Sequence, residues 1–315
     1  MPIRTFDEVD PFEIHKLTLA SFGWAVPESR LRRQMRVDPR VMDGYGRYFV
    51  ERGRLVAQVL PLRMPVRLTS GVETVGGIAG VCSLPEVWGR GHIRRLMEHV
   101  HQLYRQEGIR IAALTTSRNI RGYGVYQKLG YVDLAPFYRA TKRIRARPSP
   151  PRGLRLRVAR ARDVPRIQGL FREFARPFYG WTERDPKFLG GEQIWFDRAV
   201  DRFRLVYRGG ELVGYLRIIP GEEDFTQEYV LRRFPDFRAS VRAVEARTRF
   251  GFANVAPLTA AADLARFRRL GYDIVGPTPS KAMAIPLVPT LRPQDLPRLF
   301  GVPQGRFLLY PTDAF

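Results

Sequence analysis

The stretch SLPEVWGRGHIRRLMEHV, residues 83–100, puts Gly89 and Gly91 among arginines where an apolar run gives way to an amphipathic helix. That order suits anion binding. The first N–H groups of a helix have no intrahelical partner and carry partial positive charge, so they attract phosphate. Gly89 and Gly91 let the chain turn tightly and bring those N–H groups close to a ligand. Beyond them, Ile93, Leu96, Met97, Val100, Leu103 and Tyr104 recur at helical spacing and are expected to face the core. Arg90, Arg94 and Arg95 are expected at the mouth, where charge-assisted contacts to phosphate form. A Gly-x-Gly pair alone is most often a plain tight turn. A strand, Pro85-Glu86, a glycine loop and a helix in one order raise the phosphate reading well above that.

Other polar groups nearby carry blander expectations. His92, His99 and His101 share one helix at a spacing that does not converge on a metal, so a solvated face is expected and no metal site. Cys82 is the one cysteine. It excludes an intramolecular disulfide and thiolate zinc, and is expected as a small buried residue. Glu86 is expected as a helix-start acid. Asp7, Glu8, Asp10 and Glu13 form the densest acidic group, either a helix cap or a local attraction for a cationic ligand.

Several elements have to position the loop. Helices are expected over residues 12–22 and 28–35. A hairpin over residues 48–60 turns at Gly53, and a second, MPVRLTSGVETVGGI, turns at Ser70-Gly71. A strand from Ile78 to Leu84 leads into the loop and its helix. A buried strand, IRIAALTT, and a short helix ending at Gly130 follow. RIRARPSPPRGLRLR, centred on residues 145–153, reads as a linker. After it the pattern repeats: DVPRIQGL answers DPFEIHKL, RLVYRGGELVGY answers YFVERGRLVAQV, and FRRLGYDIV answers YQKLGYVDL. The second copy has no glycine loop and places Phe267 where the first has Tyr126. The expectation is an α/β fold of two tandem units, each a mixed, mostly antiparallel sheet flanked by helices.

Bulk properties frame this reading. A chain of 315 residues with 44% hydrophobic content suits two globular domains. The N-terminus has no apolar leader and no run could cross a bilayer, so a cytoplasmic protein is expected. The formal charge is +22, from 53 Lys and Arg of which five are Lys. The arginines are spread over nearly every segment, whereas a nucleic-acid binder more often gathers them in a stripe or tail. Solvated basic faces are the plain reading, and attraction to a polyanion is the other.

GVCSLPEVWGRGHIRRLM resembles the coenzyme-A loop of the GNAT acetyltransferases. NIRGYGVYQKLGY resembles their later motif, with Asn119, Tyr126, Lys128, Gly130 and Tyr131 in its positions. GGIAGVCSLPE, the tandem arrangement and the degenerate second copy resemble the branch containing the mycobacterial enhanced-intracellular-survival aminoglycoside acetyltransferases. The likeness spans roughly residues 3–288. It implies a catalytic domain over residues 1–145 and a degenerate one over 153–288. The tail, 289–315, is shorter than that branch's sterol-carrier-like third domain.

The resemblance further implies an N-acetyltransferase using acetyl-CoA and acting on a primary amine. An amine with pKa about 10.4 is mostly protonated at pH 7, so a base must take a proton and an acid must meet the leaving thiolate. Tyr126 is implied as that acid, against a core aromatic as the alternative. The carboxylate of Phe315, the C-terminal residue, is implied as the base, against an ordinary solvated terminus. Val81, Cys82 and Ser83, with Trp88, Gly89, Arg90, Gly91, His92, Ile93 and Asn119, are implied as cofactor contacts. Trp88 stands where the family's loop has a basic residue, which loses one side-chain contact. Phe22 and Trp24 are implied at the acceptor pocket, with core packing equally open. The acceptor is expected to be a small-molecule or peptide amine, because a chain at +22 repels polycationic aminoglycosides. The alternatives are a non-catalytic coenzyme-A binder and a nucleic-acid-associated protein. The second copy would shape a pocket or a homo-oligomer interface.

Overall fold

The computed structural model describes residues 2–24, 26–184, 200–219, 225–248 and 251–310. Two helices come first. In α1 (Pro11–Phe22) Asp10 caps the N-terminus by accepting from the Phe12 N–H at 2.9 Å, and left-handed Gly23 ends it. Helix α2 is Glu28–Val37. Asp10 and Glu8 are thus spent on helix starts, and Glu13 accepts from the Leu55 N–H at 3.2 Å. Two of the four acids therefore cap helix starts, and a third ties α1 to β2.

Strands β1 (Arg47–Glu51) and β2 (Arg54–Leu68) form the first hairpin, and β3 (Gly71–Ser83) pairs with β2 along its length. The expected separate strand starting at Ile78 is therefore the far end of β3, and the hairpin turns at Thr69–Ser70, one residue early. The β2–β3 register slips between Gln58 and Leu60. Gly80 sits at this bulge with φ +56°, where a Cβ would lie 2.6 Å from Leu60 Cδ1. The Gln58 amide donates to Gly80 O at 3.0 Å and fixes the bend.

Helix α3 (His92–Gln106) crosses to β4 (Ile111–Ser117), which runs parallel to β3. That pairing covers only Gly76↔Ala112 and Gly77↔Ala113. Beyond it the two strands part, leaving the last residues of β3 bonded to β2 alone. Helix α4 (Arg121–Lys128), β5 (Val132–Pro136) and β6 (Tyr138–Arg143) follow.

The second half repeats the plan after residues 144–153, which carry no strand or helix. Its elements are β7 (Leu154–Val158), α5 (Val164–Ala175), β8 (Phe203–Arg208), β9 (Glu211–Ile219), β10 (Phe225–Leu231), α6 (Phe234–Glu245), β11 (Phe252–Leu258), α7 (Ala261–Arg269) and β12 (Asp273–Val275). Strand β13 (Ser280–Pro286) and the short α8 (Leu296–Leu299) close the chain. The fold is α/β, with two mostly antiparallel sheets flanked by helices.

The sheets do not divide at the linker. One has the order β1-β2-β3-β4-β13-β5, the other β12-β6-β11-β10-β9-β8-β7. Strand β13, late in the chain, lies between β4 and β5, while β6 lies between β11 and β12. Each half lends the other one interior strand. The residues after β13 also pack inward. Leu296, Phe300, Phe307 and Leu309 cover the first sheet on the face away from α1 and α3, and Leu308 and Tyr310 enter the core of the second half. As far as Tyr310, the expected tail is part of the core. Among the described residues no helix is long and apolar enough to cross a membrane.

Candidate active site

A cleft of about 850 Å³ opens where β3 and β4 part, between the ends of α1 and β3, the N-terminal part of α3 and one side of α4. Val81, Cys82 and Ser83 supply the β3 wall. Trp88, Gly89, Gly91, His92 and Ile93 supply the loop, and Tyr126 comes from α4. Phe22, at the end of α1, closes one side. Gly91 is the N-cap of α3, and no side chain caps that helix. Gly89 and Gly91 hold φ +82° and +78° with open space where a Cβ would go. The glycines are needed for backbone shape, not for room. The first turn of α3 is thereby free to receive an anion.

Not every expected residue is on this wall. Arg90 donates to Glu51 Oε2 at 3.0 Å and is drawn off the cleft. Arg95 lies 4.9 Å over the Phe49 ring, and Arg94, which does line the cleft, pairs with Glu98 at 2.8 Å. Asn119 precedes α4, its N–H bonded to Ser117 Oγ at 3.2 Å, and does not line the cleft. Trp24 stacks on Phe22 at 5.4 Å, both about one-third exposed, at the rim. Phe315 lies outside the described residues.

The solvated histidine face is overturned. His92 and His101 are buried, and only His99 is partly open. His92 Nε2 lies 2.8 Å from Glu51 Oε1, so the carboxylate that takes Arg90 also borders His92. His101 Nε2 meets the Tyr131 hydroxyl at 2.8 Å, and burial lowers its pKa to about 4. Both partners come from distant segments, which the local spacing could not reveal. Among the described residues no group of three or more His, Cys, Asp or Glu side chains is placed to hold a metal ion.

Sequence reasoning missed Arg121. It opens α4, lines the cleft, and sets its guanidinium 4.5 Å from the centroid of the Trp88 ring. The Trp88 indole N–H in turn donates to Ser83 O at 3.2 Å. A signal was present: a cation in the first helical turn opposes the helix dipole, so it needs another reason to be there.

The electrostatics of the deep end are simple. Tyr126 is buried, and its hydroxyl has no hydrogen-bond partner among the described residues. Burial, with a smaller contribution from Cys82, drives its pKa above the usual phenol value. The group is therefore a neutral proton donor at physiological pH. Burial likewise pushes the Cys82 thiol up to about 12, against a hydrogen bond from Ser21, so it is not a thiolate nucleophile.

Comparison with known proteins agrees with this geometry. Residues 2–132 match the family model described as an acetyltransferase (GNAT) domain. No curated relative matches the sequence. Among solved structures, a GCN5-related N-acetyltransferase from Kribbella flavida is similar over 91% of this chain and 72% of its own, at 19% identity and a TM-score of 0.65. Eis1 from Mycobacterium abscessus is similar over 91% and 74% of the two chains, at 14% identity and a TM-score of 0.61. A GCN5-related N-acetyltransferase from Sphaerobacter thermophilus is covered over 96% of its length by 91% of this chain, at 14% identity and a TM-score of 0.56. At these identities the likeness concerns the fold. The family match is confined to residues 2–132, and there the chain is similar to GNAT acetyltransferase domains.

Proposed function

We propose that the protein moves an acetyl group from acetyl-CoA to a primary amine by direct attack on the thioester. Residues 1–145 would carry the chemistry, and 153–288 would serve as a scaffold without it. The observation that carries this reading is the cleft itself, which brings together the uncapped first turn of α3, the end of β3 where β4 has parted from it, and Tyr126. Acetyl-CoA, when bound, supplies the activated acetyl group.

The residues present fit such a ligand. The backbone N–H groups at Gly89–Ile93 and the Arg121 guanidinium suit its diphosphate. Val81–Ser83 offer backbone N–H groups to the carbonyl oxygen as negative charge builds there. Tyr126, kept neutral by burial, holds the proton that the leaving sulfur needs. One N–C bond forms and one C–S bond breaks, while the amine gives up a proton and the sulfur gains one. The Phe315 carboxylate is the proposed acceptor of the amine's proton. Cys82, held as a thiol, stays a wall residue.

Two measurements test the reading. Acetyl-CoA is expected to raise the melting temperature and NAD is not. Tyr126→Phe is expected to lower kcat about 10²-fold while leaving acetyl-CoA affinity within twofold. No stabilisation by acetyl-CoA, or full turnover in Tyr126→Phe, would contradict it.

A further inference from the structure

A second cavity, about 550 Å³, lies between the two sheets. Its walls include Thr115, Thr116 and Ser117 at the end of β4, Arg139 of β6, Gln227 of β10 and Tyr310. It borders the same parting of strands as the cleft, from the other strand. The cleft takes the end of β3, this cavity takes the end of β4, and their pairing stopped at Gly77 and Ala113. A ligand seated here would thus approach the gap from the β4 side. Phe22 and Trp24, by contrast, border only the cleft or its rim.

The lining mixes apolar side chains with hydroxyls, one amide and one cation. Arg139 is the charged residue on this wall among the described residues, and it has no ion-pair or hydrogen-bond partner among them. Gln227 gives its Oε1 to Arg217, which leaves its NH₂ to donate. Thr116 has a buried hydroxyl without a partner. The Arg139 cation repels an ammonium group beside it, whereas a carboxylate or phosphate there gains charge-assisted hydrogen bonds.

We infer that this second cavity seats the acceptor, and that Arg139 selects amines that also carry an anionic group. The inference rests on the acetyltransferase reading above. The amine end lies toward the gap between β3 and β4, and the anionic end lies on Arg139 and Gln227. Polycationic amines are poor acceptors at this site.

The test is steady-state kinetics with acetyl-CoA and three acceptors: 6-aminohexanoate, hexylamine of the same chain length, and spermidine. The carboxylated amine is expected to have the highest kcat/KM, about tenfold or more above hexylamine. Arg139→Ala is expected to lower kcat/KM for 6-aminohexanoate about 10- to 100-fold, through KM. Hexylamine should stay within twofold, and Arg139→Lys should recover part of the loss. Arg139 is exposed, so these variants leave the core intact. Equal use of 6-aminohexanoate and hexylamine, a preference for spermidine, or indifference to Arg139→Ala would overturn the inference while leaving acetyl transfer standing. If acetyl-CoA neither stabilises the protein nor acetylates any amine, the underlying reading is what fails. Calorimetric titration of 6-aminohexanoate into wild type and Arg139→Ala then decides the cavity alone, and absent or equal binding overturns it.

Discussion

The Arg121 guanidinium lies 4.5 Å from the centroid of the Trp88 ring, so the first turn of α4 is bound to the glycine loop across the mouth of the cleft. Trp88 stands where the loop of the resembled family has a basic side chain, and Arg121 sets a guanidinium beside it from another element. Arg121→Ala removes both the cation–π contact and the positive charge. The dissociation constant for acetyl-CoA is expected to rise about 5- to 30-fold, with kcat little changed. Isothermal titration with acetyl-CoA and with coenzyme A measures it, and unaltered affinity would remove Arg121 from the site.

Gly91 holds φ +78° at the N-cap of α3 in open space, so Gly91→Ala tests backbone shape without a clash. The left-handed conformation costs a non-glycine residue about 1–2 kcal/mol, and relief of that strain turns the first N–H groups away. Acetyl-CoA binding is expected to weaken about tenfold or more, with a small loss of melting temperature. A variant that binds as tightly as wild type would show that the loop's geometry is not what holds the ligand.

Asp263 on α7 gives a pH signature in the second half. It is buried, and Tyr310 donates to its Oδ2 at 3.4 Å. Burial raises its pKa from 3.8 to about 6, with Arg266 and Tyr310 opposing. Since the folded pKa is the higher, this group's stabilising contribution is full below about 4 and is lost as pH rises through about 6. Asp263→Asn is expected to flatten the pH dependence over that window and to stabilise the protein at pH 8, by up to about 3 kcal/mol. Denaturant midpoints at pH 4.5 and pH 8 provide the check, and equal destabilisation at both would refute the assignment.

Shortening the chain by Phe315 moves the terminal carboxylate back to Ala314. If that carboxylate takes the amine's proton, kcat should fall at least tenfold while acetyl-CoA affinity holds. The acid limb of the kcat–pH profile should shift as well. Turnover equal to wild type would assign the base elsewhere.

Much of the first half could be read from local pattern. The glycine loop and the apolar stripe of α3 lie within one or two elements, where spacing fixes the face, while Tyr126 is singled out by family resemblance. Leu96, Met97, Val100 and Tyr104 are buried as that spacing required, while Ile93 and Leu103 are partly so. What escaped was set by long-range pairing. Nothing near Arg90 announces that Glu51 will capture it, and nothing near Thr115 announces a cavity shared with Gln227 and Tyr310. The placement of β13 beside β4 depends on a register across most of the chain, Lys281 opposite Thr116, which no window of sequence contains.

That placement has a consequence for handling the protein. With β13 withdrawn, β4 and β5 would each present a bare hydrogen-bonding edge, and with β6 withdrawn β11 and β12 would do the same. Cut at residues 144–153, the first half would keep open edges on β4 and β5 that other chains could pair with. Neither sheet is whole without strands from both halves.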